Sequence, residues 1–271
     1  MGQRRPAYQK RFGQHHLASG TLCRPLVEFL APEGQRVLEI GPGGGVLTAE
    51  LLAHGARVLA IEVDGAWAFS LRSRLRAEAG LSLAVADALS LAWERLPRPT
   101  LVAGNLPYNL ATALIQQVLP LAEAVPRAAF LVQKEVAERL VAGPGSKAYG
   151  ALSVLVAAQA EARLLGKVRP GSFRPPPKVE SAYVGLTLKA PPLPAAEMPA
   201  FAATVFAAFS LRRKTLRNAL GHAWGRERAE QAIALAAIPP GLRAEELGLE
   251  ELLRLHRAAI EPPALAPARD S

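Results

Sequence analysis

The chain is short of three things, and each shortage excludes something. It has one cysteine, Cys23, in 271 residues. No internal disulfide can form, and the composition fits a reducing cytosol. Half of the residues are hydrophobic, yet no apolar run reaches the roughly 20 residues of a membrane span, so the apolar content is available for a core. The basic start, Met1-Gly-Gln-Arg-Arg-Pro-Ala-Tyr-Gln-Lys-Arg11, leads into Phe12-Gly-Gln-His-His16 and not into an apolar signal region. Acids are also scarce: 23 Asp and Glu face 32 Lys and Arg, for a net charge of +9. That excess points to a polyanionic partner. The preference for arginine over lysine, with abundant Ala and Leu, is equally what a compositional bias would leave. No solenoid-type repeat is present, and the length suits one domain or a domain with an appendage.

Seven apolar runs read as strands, at residues 37–40, 58–63, 81–87, 101–104, 128–133, 162–168 and 181–188. Helical spacing at 21–30, 111–119 and 134–141 alternates with them, the order of a doubly wound α/β sheet. The first strand runs into Gly41-Pro-Gly-Gly-Gly45, a turn whose glycines let backbone approach a ligand. Dinucleotide enzymes use the same device, although Val46 stands where their fingerprint has a third Gly or Ala. Glu62 lies about 20 residues past the loop, the spacing at which a carboxylate meets a ribose diol. The third run ends in Asp87, followed by Ala88, and the fourth in Asn105. Ligands of open α/β sheets bind at the carboxyl ends of strands, so Gly41, Glu62, Asp87 and Asn105 are expected to converge.

The fourth strand ends unusually, in Asn105-Leu106-Pro107-Tyr108-Asn109-Leu110. One reading is a turn and a cap, with Asn109 capping the helix that begins near Ala111. The other is chemical. An amide oxygen and the carbonyls of Leu106 and Pro107 accept hydrogen bonds, and Tyr108 offers a flat face. Together they can hold a nucleobase amino group and stack its ring.

Around this centre the chain divides by composition. Residues 1–20 read as a flexible basic arm, and 21–188 as the catalytic domain. The His15-His16 pair in the arm lacks the clustered partners of a metal site, so no metal is expected. Gly143-Pro-Gly-Ser-Lys-Ala-Tyr-Gly150 is a flexible basic and aromatic loop carrying Lys147, either a plain surface connection or an RNA contact. Residues 170–180 are too proline-rich for ladder pairing, and that stiffness could hold Phe173 in place. Residues 189–199 are a linker by composition, 200–260 a small helical domain, and 261–271 a tail expected to be disordered. Arg212, Arg213, Lys214 and Arg217 form a basic cluster expected on one helix with no acids among them, which favours phosphate contact over a solvated face.

Several blocks resemble one family. Asn105-Leu-Pro-Tyr is similar to the Asn/Asp-Pro-Pro-Tyr-like motif of amino-group methyltransferases, and Glu39-Ile-Gly-Pro-Gly-Gly-Gly45 to the loop of S-adenosylmethionine (SAM) methyltransferases. The segment Gln9–Leu17, the run Gln133-Lys-Glu-Val and Phe173-Arg-Pro-Pro-Pro-Lys-Val-Glu-Ser-Ala182 resemble the bacterial KsgA-type rRNA adenine dimethyltransferases, with His15 and His16 replacing the usual Asn and Phe. The resemblance implies a Rossmann-like class I SAM-dependent methyltransferase sheet with a small C-terminal all-helical domain. It implies SAM as methyl donor, held by His15, Leu17, Gly41, Glu62, Asp87, Ala88 and Asn105. The catalytic residues would be Asn105, Leu106, Pro107 and Tyr108, with Phe173 facing the target base opposite Tyr108. Lys147, Arg212, Arg213, Lys214 and Arg217 would bind RNA. The implied substrate is 16S rRNA within 30S precursors, methylated at two adjacent adenines of the 3′ hairpin by a cytoplasmic monomer with no membrane partner. Some relatives suggest an alternative, a non-catalytic RNA- or DNA-binding assembly or transcription factor on the same fold.

Overall fold

A computed structural model describes Pro6 and residues 14–260. Within them the chain divides into two compact units, residues 14–141 with 159–192, and residues 142–158 with 193–260.

The first unit is built on seven strands. They are β2 Arg36–Ile40, β3 Arg57–Glu62, β4 Leu81–Val85, β5 Leu101–Asn105, β6 Arg127–Gln133, β7 Ala160–Val168 and β9 Ser181–Leu188. They lie in the order β4-β3-β2-β5-β6-β9-β7. The first five are mutually parallel, and β9 runs antiparallel between β6 and β7. All seven expected strands are present. The central ones are apolar on both faces, as strands covered on both sides must be: Val37, Leu38 and Ile40 of β2 and residues 128–132 of β6 are buried. The helices α1 Arg24–Leu30, α2 Val46–Ala53, α3 Gly65–Arg74, α4 Ala111–Val118 and α5 Lys134–Leu140 belong to this unit. Strand order reverses beside β2, whose neighbours β3 and β5 leave a crevice at their carboxyl ends.

Two short strands depart from expectation. β1, His16–Leu17, pairs antiparallel with β8, Phe173–Arg174. The proline-rich segment therefore does form a ladder, because the pairing uses the two residues ahead of Pro175, where main-chain N–H groups are still available. Residues 14–20 of the expected flexible arm are fixed by this ladder and by the Ala18 amide, which donates to the Ser172 carbonyl at 2.9 Å. The remainder of that arm, apart from Pro6, and the tail at 261–271 lie outside the described residues.

The second unit is helical: α6 Ala151–Gln159 up to residue 158, α7 Met198–Ala208, α8 Leu216–Trp224, α9 Arg226–Leu235 and α10 Leu249–Ile260. Its core gathers Val154, Leu155, Phe201, Val205, Leu220, Ile233 and Leu252. Residues 142–158 thus interrupt the stretch 21–188 expected as one domain, because Val154, Leu155 and Ala158 are buried in the helical core. The loop before α6 is tied to the same unit. Tyr149 is buried, its hydroxyl donates to the Leu247 carbonyl at 2.8 Å, and its ring meets Phe209 edge-on. The aromatic group of this loop is a core residue, which leaves Lys147 as its exposed cation.

Candidate active site

At the carboxyl ends of β2, β3 and β5 the first unit opens into a cavity of about 930 Å³, its mouth included. Ten expected site residues line it: His15, Leu17, Gly41, Glu62, Asp87, Ala88, Asn105, Leu106, Pro107 and Tyr108. β3 and β5 bring their last residues, Glu62 and Asn105, and β2 and β4 the residues just past their ends, Gly41 and Asp87, which is why groups so far apart in sequence meet.

The glycine turn is shaped by what covers it. Gly43 has φ of 45°, and a Cβ there would lie 2.5 Å from Nε2 of His16. Only glycine lets that ring lie on the turn. His16 also meets Trp67 edge-on, with ring centroids 4.4 Å apart. Glu62 fixes the turn from below, accepting from the Gly43 amide at 2.9 Å and from the Asp64 amide at 3.0 Å. Burial raises the Glu62 carboxyl above its ordinary value, with the backbone amides of Asp64, Gly43 and Val63 pulling the other way. Asp87 is exposed and accepts from the Leu89 amide at 2.9 Å. Glu39 is fully buried, and its Oε2 has no partner among the described residues. Burial pushes its carboxyl up to about 8. Thr48 opposes the rise and the Glu62 charge adds to it.

Asn105 does not serve as a turn residue. Its Nδ2 donates to the His15 carbonyl at 2.6 Å. Asn109 gives no cap either, since α4 starts after Leu110 without a side-chain cap. The Pro107 carbonyl accepts from the amides of both Leu110 and Ala111 at 2.9 Å. That fills its two lone pairs and leaves Leu106 to supply any main-chain acceptor. Tyr108 is half-buried and anchored by Ser181, hydroxyl to hydroxyl at 2.6 Å. Ser181 had no assigned role in the sequence, although it sits in the Phe-x-Pro-Pro-Pro-Lys-Val-x-Ser block. Its hydroxyl could not be paired with Tyr108 without the fold.

Phe173 is placed elsewhere than expected. It is fully buried in the cluster of Leu17, Cys23, Leu26 and Tyr183, and it is not part of the cavity wall. Burial of such a side chain is worth about 1.5–3 kcal/mol, while a base stacked on it would return about 1–3 kcal/mol. Extraction therefore brings no clear gain. His15 occupies the face of Tyr108 instead, with ring centroids 5.5 Å apart and planes 23° from parallel.

The basic residues are on the other unit. Arg212, Arg213 and Lys214 lie in the turn between α7 and α8, and only Arg217 is on a helix. The expectation of one helix fails because α7 ends at Ala208, with Phe209 as its cap, and helix resumes only at Leu216. Arg217 is 3.7 Å from Glu230, so one member of the cluster has an acid partner from α9. Arg212 donates to the Lys147 carbonyl at 2.5 Å, which brings Lys147 beside the cluster. Among the described residues no group of three or more His, Cys, Asp or Glu could hold a metal, and no helix is long and apolar enough to cross a membrane.

A parallel sheet with one antiparallel strand inserted near its edge, a glycine turn after β2 and Asn-Leu-Pro-Tyr at the end of β5 define a class I SAM-dependent methyltransferase. Solved structures agree with that class. The 23S rRNA methyltransferase ErmE is 28% identical with a TM-score of 0.66, over 89% of this chain and 97% of that one. A dimethyladenosine transferase from Plasmodium falciparum shares the fold, with a TM-score of 0.73 at 23% identity over 89% and 96% of the two chains. The family described as ribosomal RNA adenine dimethylase matches residues 6–260, and the chain belongs to it. Among its relatives, the "Ribosomal RNA small subunit methyltransferase A" of Synechococcus sp. (strain JA-3-3Ab) is 44% identical over 94% of both chains. The protein of that name from Pseudomonas aeruginosa is 42% identical over 94% and 96%.

Proposed function

We propose that this protein dimethylates N6 of two adjacent adenines in the 3′-terminal hairpin of 16S rRNA, working as a cytoplasmic monomer on 30S precursors. The observation that carries this reading is the meeting of Asn105, Leu106 and Tyr108 with Glu62 and Asp87 in one cavity. A nucleobase amino group and a nucleoside-containing methyl donor would find their partners side by side there. The cavity fits SAM: Glu39 offers a buried oxygen with no partner among the described residues, and the Glu62 carboxylate stands in the cavity wall at the end of β3. Leu17, Gly41, Glu62, Asp87 and Ala88 would hold it. When bound, it supplies an electrophilic methyl group.

The protein's own work is to position N6. That lone pair is delocalised into the purine ring and is a poor nucleophile. Accepting one N–H at Asn105 Oδ1 and the other at the Leu106 carbonyl favours a pyramidal nitrogen and stabilises the positive charge that develops on it. The alkylated nitrogen then gives up a proton to water without a dedicated base. Holding nucleophile and methyl carbon in line is the larger share of catalysis. Extruding the adenine costs a few kcal/mol, which stacking on Tyr108 offsets in part. Arg212, Arg213 and Lys214, with Lys147, supply exposed charge for RNA phosphates on the helical unit. The intact Asn105–Tyr108 run and its cavity do not favour a purely non-catalytic role.

The test is to incubate the purified protein with labelled SAM and 30S particles lacking adenine methylation, then map the label. N6,N6-dimethyladenine in the 3′ hairpin is the expected product. Binding to the particles without label would overturn the reading.

A further inference from the structure

We propose that Gln117 is a positioning residue for the methyl donor, holding the turn Asp87–Leu89 where the donor meets it. The inference rests on Asp87 and Ala88 holding SAM. That turn follows β4, which stands at the edge of the sheet with β3 on one side only. The ladder runs out at the Ala86 amide, which donates to the Glu62 carbonyl at 3.1 Å. Past it the chain folds on itself. The Leu89 amide donates to Asp87 Oδ1 at 2.9 Å, and the Ser90 amide to the Asp87 carbonyl at 3.0 Å. These bonds set the shape of the turn but not its place in the cavity wall, which includes Asp87, Ala88 and Leu89.

Gln117 sets the place. Its Nε2 donates to the Leu89 carbonyl at 3.0 Å, and its Oε1 accepts from Nε1 of Trp93 at 2.8 Å. An indole N–H only donates and a carbonyl only accepts, so a flipped amide would lose both bonds. Trp93 is buried, which makes its end the anchor and the Leu89 end the arm that reaches the turn. Gln117 stands on α4 three residues past Leu114, a neighbour on the helix surface that itself lines the cavity. The helix that begins just after Asn105-Leu106-Pro107-Tyr108 therefore also holds the turn past β4. Gln117 is not part of the cavity wall, so it acts through Leu89.

The experiment compares full-length wild type with Gln117→Glu, Gln117→Lys and Asp87→Ala, at about pH 8, where a glutamate is ionised. It reads SAM affinity by calorimetry, the thermal midpoint, and kcat at saturating SAM on 30S particles lacking adenine methylation. A carboxylate still accepts from Trp93 but turns an acceptor toward the Leu89 carbonyl, whereas an ammonium does the reverse. Gln117→Glu is expected to weaken SAM binding about tenfold, the effect of leaving that carbonyl unmet. Gln117→Lys is expected to bind SAM within about threefold of wild type, yet to melt lower because the buried Trp93 donor loses its partner. In both, kcat at saturating SAM should stay within about twofold, since Gln117 touches no reacting atom. Wild-type SAM affinity in Gln117→Glu would overturn the proposal. So would affinities that follow the melting midpoints and not the presence of a donor at position 117, the pattern of a merely structural amide. Asp87→Ala separates the two levels: wild-type SAM affinity there would sink the reading that this turn holds the donor. Weakened binding in Asp87→Ala beside unchanged binding in Gln117→Glu would sink the role of Gln117 alone.

Discussion

The hydroxyls of Tyr108 and Ser181 lie 2.6 Å apart, joining two sequence blocks separated by 73 residues. Ser181 is fully buried at the start of β9, so it is a fixed post for a half-buried ring. Ser181→Ala should leave SAM affinity unchanged. It should raise the KM for ribosomal particles about fivefold, the worth of one neutral hydrogen bond near 1 kcal/mol. Steady-state kinetics with calorimetry of SAM binding would check this. A loss confined to SAM affinity would argue that the serine supports the cofactor side instead.

Asn105 meets the His15 carbonyl and the cavity with the two ends of one amide. Asn105→Ala removes the acceptor aimed at developing charge, a kind of loss that costs about 10²–10³ in rate at preorganised sites. Single-turnover methylation should fall by that factor, while SAM and particle binding stay within about threefold of wild type, since their other contacts remain. Wild-type turnover would contradict the role assigned to the amide.

Arg212, Arg213 and Lys214 are exposed in one turn, while Arg217 is near Glu230. Changing the first three to alanine should reduce the slope of log K against log salt by about 2 to 3, given roughly 0.7–0.9 per neutralised phosphate. Arg217→Ala alone should change it by less, because an acid already shares its charge. A filter-binding series across salt concentrations measures both. An unaltered slope in the triple variant would make the turn a solvated surface.

Much of this was legible in sequence because strands buried on both faces are continuous apolar runs and cannot hide. The polar interruptions at or just past their ends are Glu62, Asp87 and Asn105, and an open α/β sheet places such ends together. What failed was tertiary. Ala151-Leu-Ser-Val-Leu-Val-Ala-Ala158 is apolar on every side, so no amphipathic period marks it as a helix. Its burial with Phe201 and Leu252 decides its unit. Ser210 and Thr215 bracket the basic cluster as a helix stop and start, but the charge between them reads just as well as a helix face. Nothing local distinguishes Phe173 as a core residue from Phe173 as a stacking ring. Its burial in one cluster with Leu17, Cys23, Leu26 and Tyr183, with Leu17 set opposite it by the β1–β8 ladder, does so.

Glu39 provides a test of the site's electrostatics through stability. Its carboxyl is fully buried and is pushed up to about 8 by that burial, whereas in the unfolded chain it titrates near about 4.3. Between those values the folded state holds one more proton than the unfolded state, so stability must fall as pH rises. The contribution is fully present below about pH 4.3 and has been lost once pH passes the folded value near 8. The slope from this one group approaches about 1.4 kcal/mol per pH unit inside the window. Glu39→Gln keeps the shape and removes the titration. Urea unfolding of both proteins at several pH values from 5 to 9 should show the variant gaining on wild type as pH rises, and then a constant difference above the folded value. Parallel curves across that range would mean that Glu39 is ionised in the folded protein, with a partner that compensates its burial.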